Sequence, residues 1–269
     1  MQPQFAEINH NRVFNVFVVT GPAGKAVFSP AANSLITGFY DDVEVISSER
    51  FIVTRGEMSG VADQTGNLII PVKYTSIRKA GNGKYFCANG GSIAVYNSRG
   101  SFDMEIASDE VIEYYGYYIF KNSDFRFGVV SSQGAPVIDD LYDNYITVNG
   151  LIELRNSDST AVLHTASGKV IRFGTDTRVK FILEGTDDVM ATPFYSLSSA
   201  SGKQWHSVYS EKNLEMDLSE ADITATAIND YFIVNTGYYW LLSKEGIPLT
   251  EEKYEELFYF RDSIFVIGM

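Results

Sequence analysis

Seven small polar turns in this chain close on a glycine, and four of the six gaps between those glycines are 34 residues long. The turns are Gly21-Pro22-Ala23-Gly24, Asp63-Gln64-Thr65-Gly66, Asn97-Ser98-Arg99-Gly100, Ser131-Ser132-Gln133-Gly134, Thr165-Ala166-Ser167-Gly168, Ser199-Ala200-Ser201-Gly202 and Ser243-Lys244-Glu245-Gly246. Gly66 to Gly202 keep the period; the first gap is 42 residues and the last is 44. A fixed period of this size marks a repeat fold, in which each unit buries its apolar surface against its neighbours.

The turn chemistry says what the glycines do. A type I turn favours Asp, Asn or Ser first and Gly fourth, and a type I turn followed by a positive-φ residue is a common hairpin connection. Each glycine is therefore expected to join two antiparallel strands. Four short strands per unit follow. The first precedes the glycine, as in Gly60–Asp63 and Phe127–Ser131, and the second follows it, as in Asn67–Pro71. The third centres about eleven residues on, at Ile77, Val111, Tyr145, Val179 and Leu257. The fourth includes Phe51–Thr54, Tyr85–Ala88, Tyr117–Phe120, Leu151–Leu154 and Tyr231–Asn235.

Stretches such as Phe51-Ile52-Val53 and Tyr231-Phe232-Ile233-Val234 do not alternate apolar with polar. A strand wet on one face alternates, whereas one covered on both faces need not. In a propeller each blade lies between two others. The pattern predicts an all-β repeat protein of seven four-stranded units over residues 1–269, a seven-bladed β-propeller, with a β-solenoid as the alternative. The units run approximately 13–56, 57–90, 91–124, 125–157, 158–192, 193–236 and 237–269. Ring closure is expected between Phe14–Thr20 and Ile264–Ile267.

The formal charge of −13 argues against nucleic acid or an anionic membrane as partner. The single cysteine, Cys87, excludes an internal disulfide framework. No apolar run reaches the ~18–20 residues of a membrane span. Residues 1–15 carry Glu7, His10 and Arg12 where a signal peptide needs an apolar stretch, so a chain native from Met1 is expected in the cytoplasm.

The stretch Gly60-Val61-Ala62-Asp63-Gln64-Thr65-Gly66-Asn67-Leu68-Ile69-Ile70-Pro71-Val72-Lys73-Tyr74 resembles the bacterial WG repeat: Trp-Gly, a strand, Asp, a turn with Gly, an apolar strand, Pro and Tyr. Phe127-Gly128-Val129-Val130-Ser131-Ser132-Gln133-Gly134 is similar, with Phe replacing Trp. Tyr74, Tyr142 and Tyr254 lie eight residues after their glycines, as the family's Tyr does. The namesake Trp-Gly pair occurs nowhere in the chain. The resemblance implies a bacterial repeat protein and adds little about activity.

No catalytic constellation stands out. His10, His164 and His206 show no metal spacing, and Cys87 sits in an apolar strand, where a buried small hydrophobe is the better reading than a nucleophile. The acidic pairs Asp41-Asp42, Asp139-Asp140, Asp187-Asp188 and Glu251-Glu252 suit solvated loops better than a cation or a pair of catalytic carboxylates. No phosphate loop, nucleophile elbow or dinucleotide fingerprint is present. The sequence therefore points to a non-enzymatic scaffold for protein–protein interaction, with no catalytic residues, metal or cofactor. A carbohydrate- or small-ligand-binding propeller, or a carboxylate-dependent hydrolase, are the alternatives.

The two long gaps suggest where binding occurs. Both insertions fall between second and third strands, within Ser29–Gly38 of unit one and Trp205–Leu218 of unit six. Insertions on one face often mark the binding face. Leu35 in the first, and Trp205, His206, Tyr209, Leu214 and Met216 in the second, are the candidate interface. Tyr115 and Tyr117, beside the turn glycine Gly116, join them as aromatic anchors.

Overall fold

In the computed structural model the glycine turns join antiparallel strands, as their composition requires. The structure describes residues 5–148, 150–174, 178–181, 194–199, 202–207, 221–225, 231–250, 254–260 and 263–267. Strand pairing divides them into successive sheets. The first holds β1 (Glu7–Asn11), β2 (Val16–Gly21), β3 (Gly24–Ser29) and β4 (Ser34–Leu35). The second holds β5 (Asp42–Ser47), β6 (Arg50–Arg55), β7 (Met58–Asp63) and β8 (Leu68–Tyr74). The third holds β9 (Ser76–Lys79), β10 (Tyr85–Ala88), β11 (Ile93–Tyr96) and β12 (Phe102–Ile106). The fourth holds β13 (Glu110–Tyr114), β14 (Tyr117–Lys121), β15 (Phe127–Ser131) and β16 (Pro136–Tyr142), and the fifth β17 (Asn144–Val148), β18 (Leu151–Arg155), β19 (Ser159–His164) and β20 (Lys169–Gly174). Then come three-stranded sheets of β21 (Arg178–Phe181), β22 (Phe194–Ser199) and β23 (Gly202–Ser207), and of β24 (Asp222–Ala225), β25 (Tyr231–Asn235) and β26 (Tyr239–Ser243). A hairpin of β27 (Glu256–Phe260) and β28 (Ser263–Ile267) ends the described chain. The protein is all-β, and its four-stranded antiparallel sheets, each with strands in chain order, have the arrangement of propeller blades.

The sheets are out of phase with the glycine-to-glycine units. The turn closing on Gly66 joins the third and fourth strands of its sheet, β7 and β8, and the unit's remaining strands, β9 and β10, open the next sheet. The crossing lies just past the tyrosine eight residues after the glycine. Tyr74 ends β8, and the N–H of Thr75 donates to Ala88 O at 2.9 Å in the next sheet. Tyr142 ends β16, and Asp143 donates to Arg155 O at 2.9 Å in the same way.

One expectation fails. The segment Phe14–Thr20, expected to meet Ile264–Ile267 and close a ring, forms β2. Both of its edges are already taken: β1 pairs along it from Glu7↔Thr20 to Asn11↔Val16, and β3 occupies the other side. Residues 7–11 are mostly exposed and hold a single apolar side chain, Ile8, so they carry no apolar pattern to announce a strand; His10 stacks on Phe17 with ring centroids 4.3 Å apart. The first insertion is likewise part of a sheet. Its Ser34 and Leu35 pair with Ser29 and Phe28, and the Thr37 hydroxyl accepts the Val27 N–H at 2.9 Å.

The chain forms two compact units. One comprises residues 1–113, 118–125 and 130–136, the other residues 114–117, 126–129 and 137–269. In the first unit the second sheet is covered on both faces. Phe51, Val53 and Ala62 pack with Val16 and Val27 of the first sheet, whereas Ile52, Val61 and Ile70 pack with Tyr85, Cys87 and Ala94 of the third. In the second unit Tyr195 and Leu197 of β22 pack with Leu151 and Val162 of the fifth sheet, and Phe194 packs with Phe232 and Trp240. Alternate residues of one strand thus enter different cores, which is why these strands are apolar throughout.

Candidate functional site

The structure divides the candidate interface residues. Leu35 is 38% exposed on the short edge strand β4. Tyr115 is 66% exposed at the β13–β14 turn. Tyr117 is half-buried and packs on the Gly168 turn, where a Cβ on that glycine would lie 3.0 Å from its hydroxyl. Trp205 and His206 contradict the expectation of an exposed loop, since each is only 6% exposed. The reason is the length of β23, which continues to Ser207: Trp205 pairs with Ser196 and enters the core beside Phe194 and Trp240, and His206 pairs with Tyr195. Any insertion starts after Ser207. Tyr209, Leu214 and Met216 lie outside the described residues.

His206 belongs to a buried polar file. Its ring stacks on Tyr195 with centroids 5.2 Å apart, and the Tyr195 hydroxyl lies 2.9 Å from His164 Nε2. Neither ring nitrogen of His206 has a hydrogen-bond partner among the described residues. Burial, reinforced by His164 and Lys169, lowers its pKa to about 4, so the ring is neutral near pH 7. Burial also pushes the Cys87 thiol up to about 12, which makes it a core hydrophobe rather than a nucleophile. Of the acidic pairs, Asp41 Oδ2 accepts the Gly56 N–H at 2.6 Å and Asp42 pairs with Lys25 at 2.6 Å. Asp187-Asp188 and Glu251-Glu252 lie outside the described residues. Among the described residues no three His, Cys, Asp or Glu side chains are grouped to hold a metal ion, and no helix is long and apolar enough to cross a membrane.

Two exposed aromatics carry backbone strain. Tyr115 has φ 48° and Phe125 has φ 63°, and Phe125 is 71% exposed. Positive φ is a genuine outlier for bulky residues and costs on the order of 1–3 kcal/mol. Phe125 closes the turn Asn122-Ser123-Asp124-Phe125. Its N–H donates to Asn122 O at 3.0 Å, and Asp124 N–H donates to Asn122 Oδ1 at 2.9 Å. The glycine turns make the same two bonds, as at Asn97, whose carbonyl accepts from Gly100 and whose side chain accepts from Arg99. The Lys121 ammonium sits 4.9 Å from the Phe125 ring centroid. Phe125 lacks the glycine that flags the other turns, so composition alone does not single it out. The matching Asn-Ser start of Asn97-Ser98 and Asn122-Ser123 was the available signal.

A groove of about 420 Å³ opens in the first unit between β9 and β13, lined by Arg78, Ala80, Phe86, Val111 and Glu113 among others. The Arg78 guanidinium lies over the Phe86 ring at 4.8 Å and donates from Nη2 to Val111 O at 2.9 Å. Glu113 Oε1 accepts the amide of Asn82. No sequence motif marked this groove.

No family model matches the chain, and no curated protein matches it. Among solved structures it is similar to Hsv2 of Kluyveromyces lactis, at 10% identity over 98% of each chain and a TM-score of 0.35. It is also similar to PorZ, described as an essential surface component of the type-IX secretion system of Porphyromonas gingivalis, at 12% identity and a TM-score of 0.27 over 91% of this chain and 46% of that one. Likeness at this level carries no argument, and the fold assignment rests on the strand pairing above.

Proposed function

We propose that this chain is a non-enzymatic scaffold of propeller blades that binds another protein through aromatic anchors at its hairpin turns. One observation carries this reading: Phe125, a large apolar side chain, stands exposed at a positive φ where equivalent turns use glycine. Glycine would fold that turn at lower cost, so the phenyl ring serves something other than the fold. Aromatic anchors dominate protein interfaces, and strain retained at an exposed position fits one. The charge of −13 favours a neutral or basic partner over nucleic acid or an anionic membrane. The buried, strand-ending Tyr74 and Tyr142 support placing the chain among degenerate WG repeats.

The test is a photo-crosslinking amino acid placed at Phe125, at Tyr115 and, as an exposed control in another hairpin, at Met58. The proposal expects Phe125 and Tyr115 each to yield a discrete protein adduct in the native host and Met58 to yield none. Equal labelling from all three positions would contradict it.

A further inference from the structure

We propose that Asn89 is a site of spontaneous modification, its side chain cyclising onto the Gly90 nitrogen to a succinimide that water opens to aspartate and isoaspartate. The chain contains three Asn-Gly pairs, Asn82-Gly83, Asn89-Gly90 and Asn149-Gly150. Asn149 lies outside the described residues. The reaction joins the asparagine side-chain carbon to the backbone nitrogen of the next residue. Glycine in that place has no Cβ to block the approach and the widest backbone freedom to allow it. A hydrogen bond on either reacting group must be broken first and slows the step.

The first two pairs flank β10, and the structure treats them oppositely. Asn82 is held at both ends of its amide: Oδ1 accepts the Lys84 N–H at 3.0 Å and Nδ2 donates to Glu113 Oε1. The Gly83 nitrogen is engaged too, donating to Ala80 O at 3.0 Å. Asn89 stands in the hairpin between β10 and β11, where Asn89, Gly90 and Gly91 are all exposed. Its backbone secures the hairpin, the N–H donating to Ser92 O at 2.9 Å and the carbonyl accepting the Ser92 hydroxyl at 3.2 Å. Among the described residues no hydrogen bond reaches its side-chain amide or the Gly90 N–H. A Cβ on Gly90 would meet nothing within 4 Å, so the nucleophile is also open to solvent.

The chemistry needs only base and water. Solvent base removes the Gly90 N–H proton, and the nitrogen attacks Asn89 Cγ. The Cγ–Nδ2 bond breaks, and Nδ2 leaves as ammonia with a proton from solvent. Water then adds to one carbonyl of the succinimide ring. Opening at Cγ returns the original backbone with an aspartate. Opening at the backbone carbonyl gives isoaspartate and routes the main chain through Cγ, one carbon longer, next to the Ala88↔Ile93 pair. Either product adds a negative charge to a chain that is already acidic. The hairpin thus changes in charge, and in part in backbone length, with the age of the molecule.

Incubation in warm, mildly alkaline buffer followed by peptide mass spectrometry tests the proposal, with a parallel incubation in urea. Cleavage after Lys79, Lys84 and Arg99 places Asn82 in the peptide Ala80–Lys84 and Asn89 in Tyr85–Arg99. Fragmentation assigns the converted residue and separates isoaspartate from aspartate. In the folded protein Asn89 is expected to convert about tenfold or more faster than Asn82, and the reaction to speed up with pH. In urea, where the restraints on Asn82 and Gly83 are gone, the two are expected to convert at similar rates. Folded-state conversion of Asn89 no faster than that of Asn82 would overturn the proposal. So would the same ratio in urea, which would place the difference in the sequence and not in the hairpin.

Discussion

Phe125 holds, in the turn after β14, the place that Gly100 holds in the turn after β11: each donates its N–H to the carbonyl of an asparagine three residues earlier, Asn122 or Asn97, and each has positive φ, 63° and 84°. One turn geometry therefore recurs with and without the residue that suits it, and the difference separates what the fold requires from what it tolerates.

Gly100 and Gly134 separate backbone strain from packing. Their φ values, 84° and 82°, are nearly the same. A Cβ on Gly100 would meet Ile69 O at 2.6 Å, whereas one on Gly134 would meet Met104 Sδ at an ordinary 3.5 Å. Both alanine substitutions cost the positive-φ penalty, about 1 kcal/mol. Gly100→Ala also forces the Ile69 backbone aside, adding roughly 1–3 kcal/mol. Urea melts should rank the variants wild type, Gly134→Ala, Gly100→Ala in falling stability; equal losses would show that the close approach at Gly100 is relieved freely.

His206 should make stability fall in mild acid. Its folded pKa is depressed to about 4 against an ordinary 6.5, so the unfolded chain takes up a proton first as pH falls. The stability present above pH 6.5 is lost progressively down to about pH 4, up to about 3 kcal/mol for this one group. Because neither ring nitrogen has a hydrogen-bond partner among the described residues, His206→Phe keeps the stack on Tyr195 and removes the titration. The variant should be at least as stable as wild type at pH 7 and lose less between pH 6.5 and 4. A parallel pH dependence in both proteins would assign the effect elsewhere.

Deleting residues 1–12 should affect association more than folding. The strand β1 buries almost no side chain, but it covers the edge of β2 with five residue pairs. An uncovered edge strand is a template for pairing with another chain. The truncated protein is expected to keep its cooperative melt and to self-associate in sedimentation velocity. A monomeric truncation would show that the edge is protected by something else.

Much of the fold was legible because glycine is the residue positive φ selects, so the 34-residue period located the hairpins and, by spacing, strands β7, β11, β15 and β19. The grouping into sheets was not legible. The crossing at Thr75 and Asp143 takes one residue between strands and needs neither Gly nor Pro, so nothing in the composition marks it. The candidate site was legible only in part. Tyr115 stood beside a glycine, whereas Trp205 and His206 looked like loop residues because the end of β23 has no turn signal. Phe125 stands where the other turns carry glycine and becomes visible only when the repeat is known.

The most direct test replaces Phe125 with glycine and measures two quantities on the same protein, the melting temperature and the yield of the adduct formed through a crosslinker at the exposed Ser123 of the same turn. The account predicts that Phe125→Gly melts about 2–4 °C higher, because the strain is relieved, and that the adduct through Ser123 is largely lost. A lower melting temperature with the adduct retained would show that Phe125 serves the fold and that the binding surface lies elsewhere.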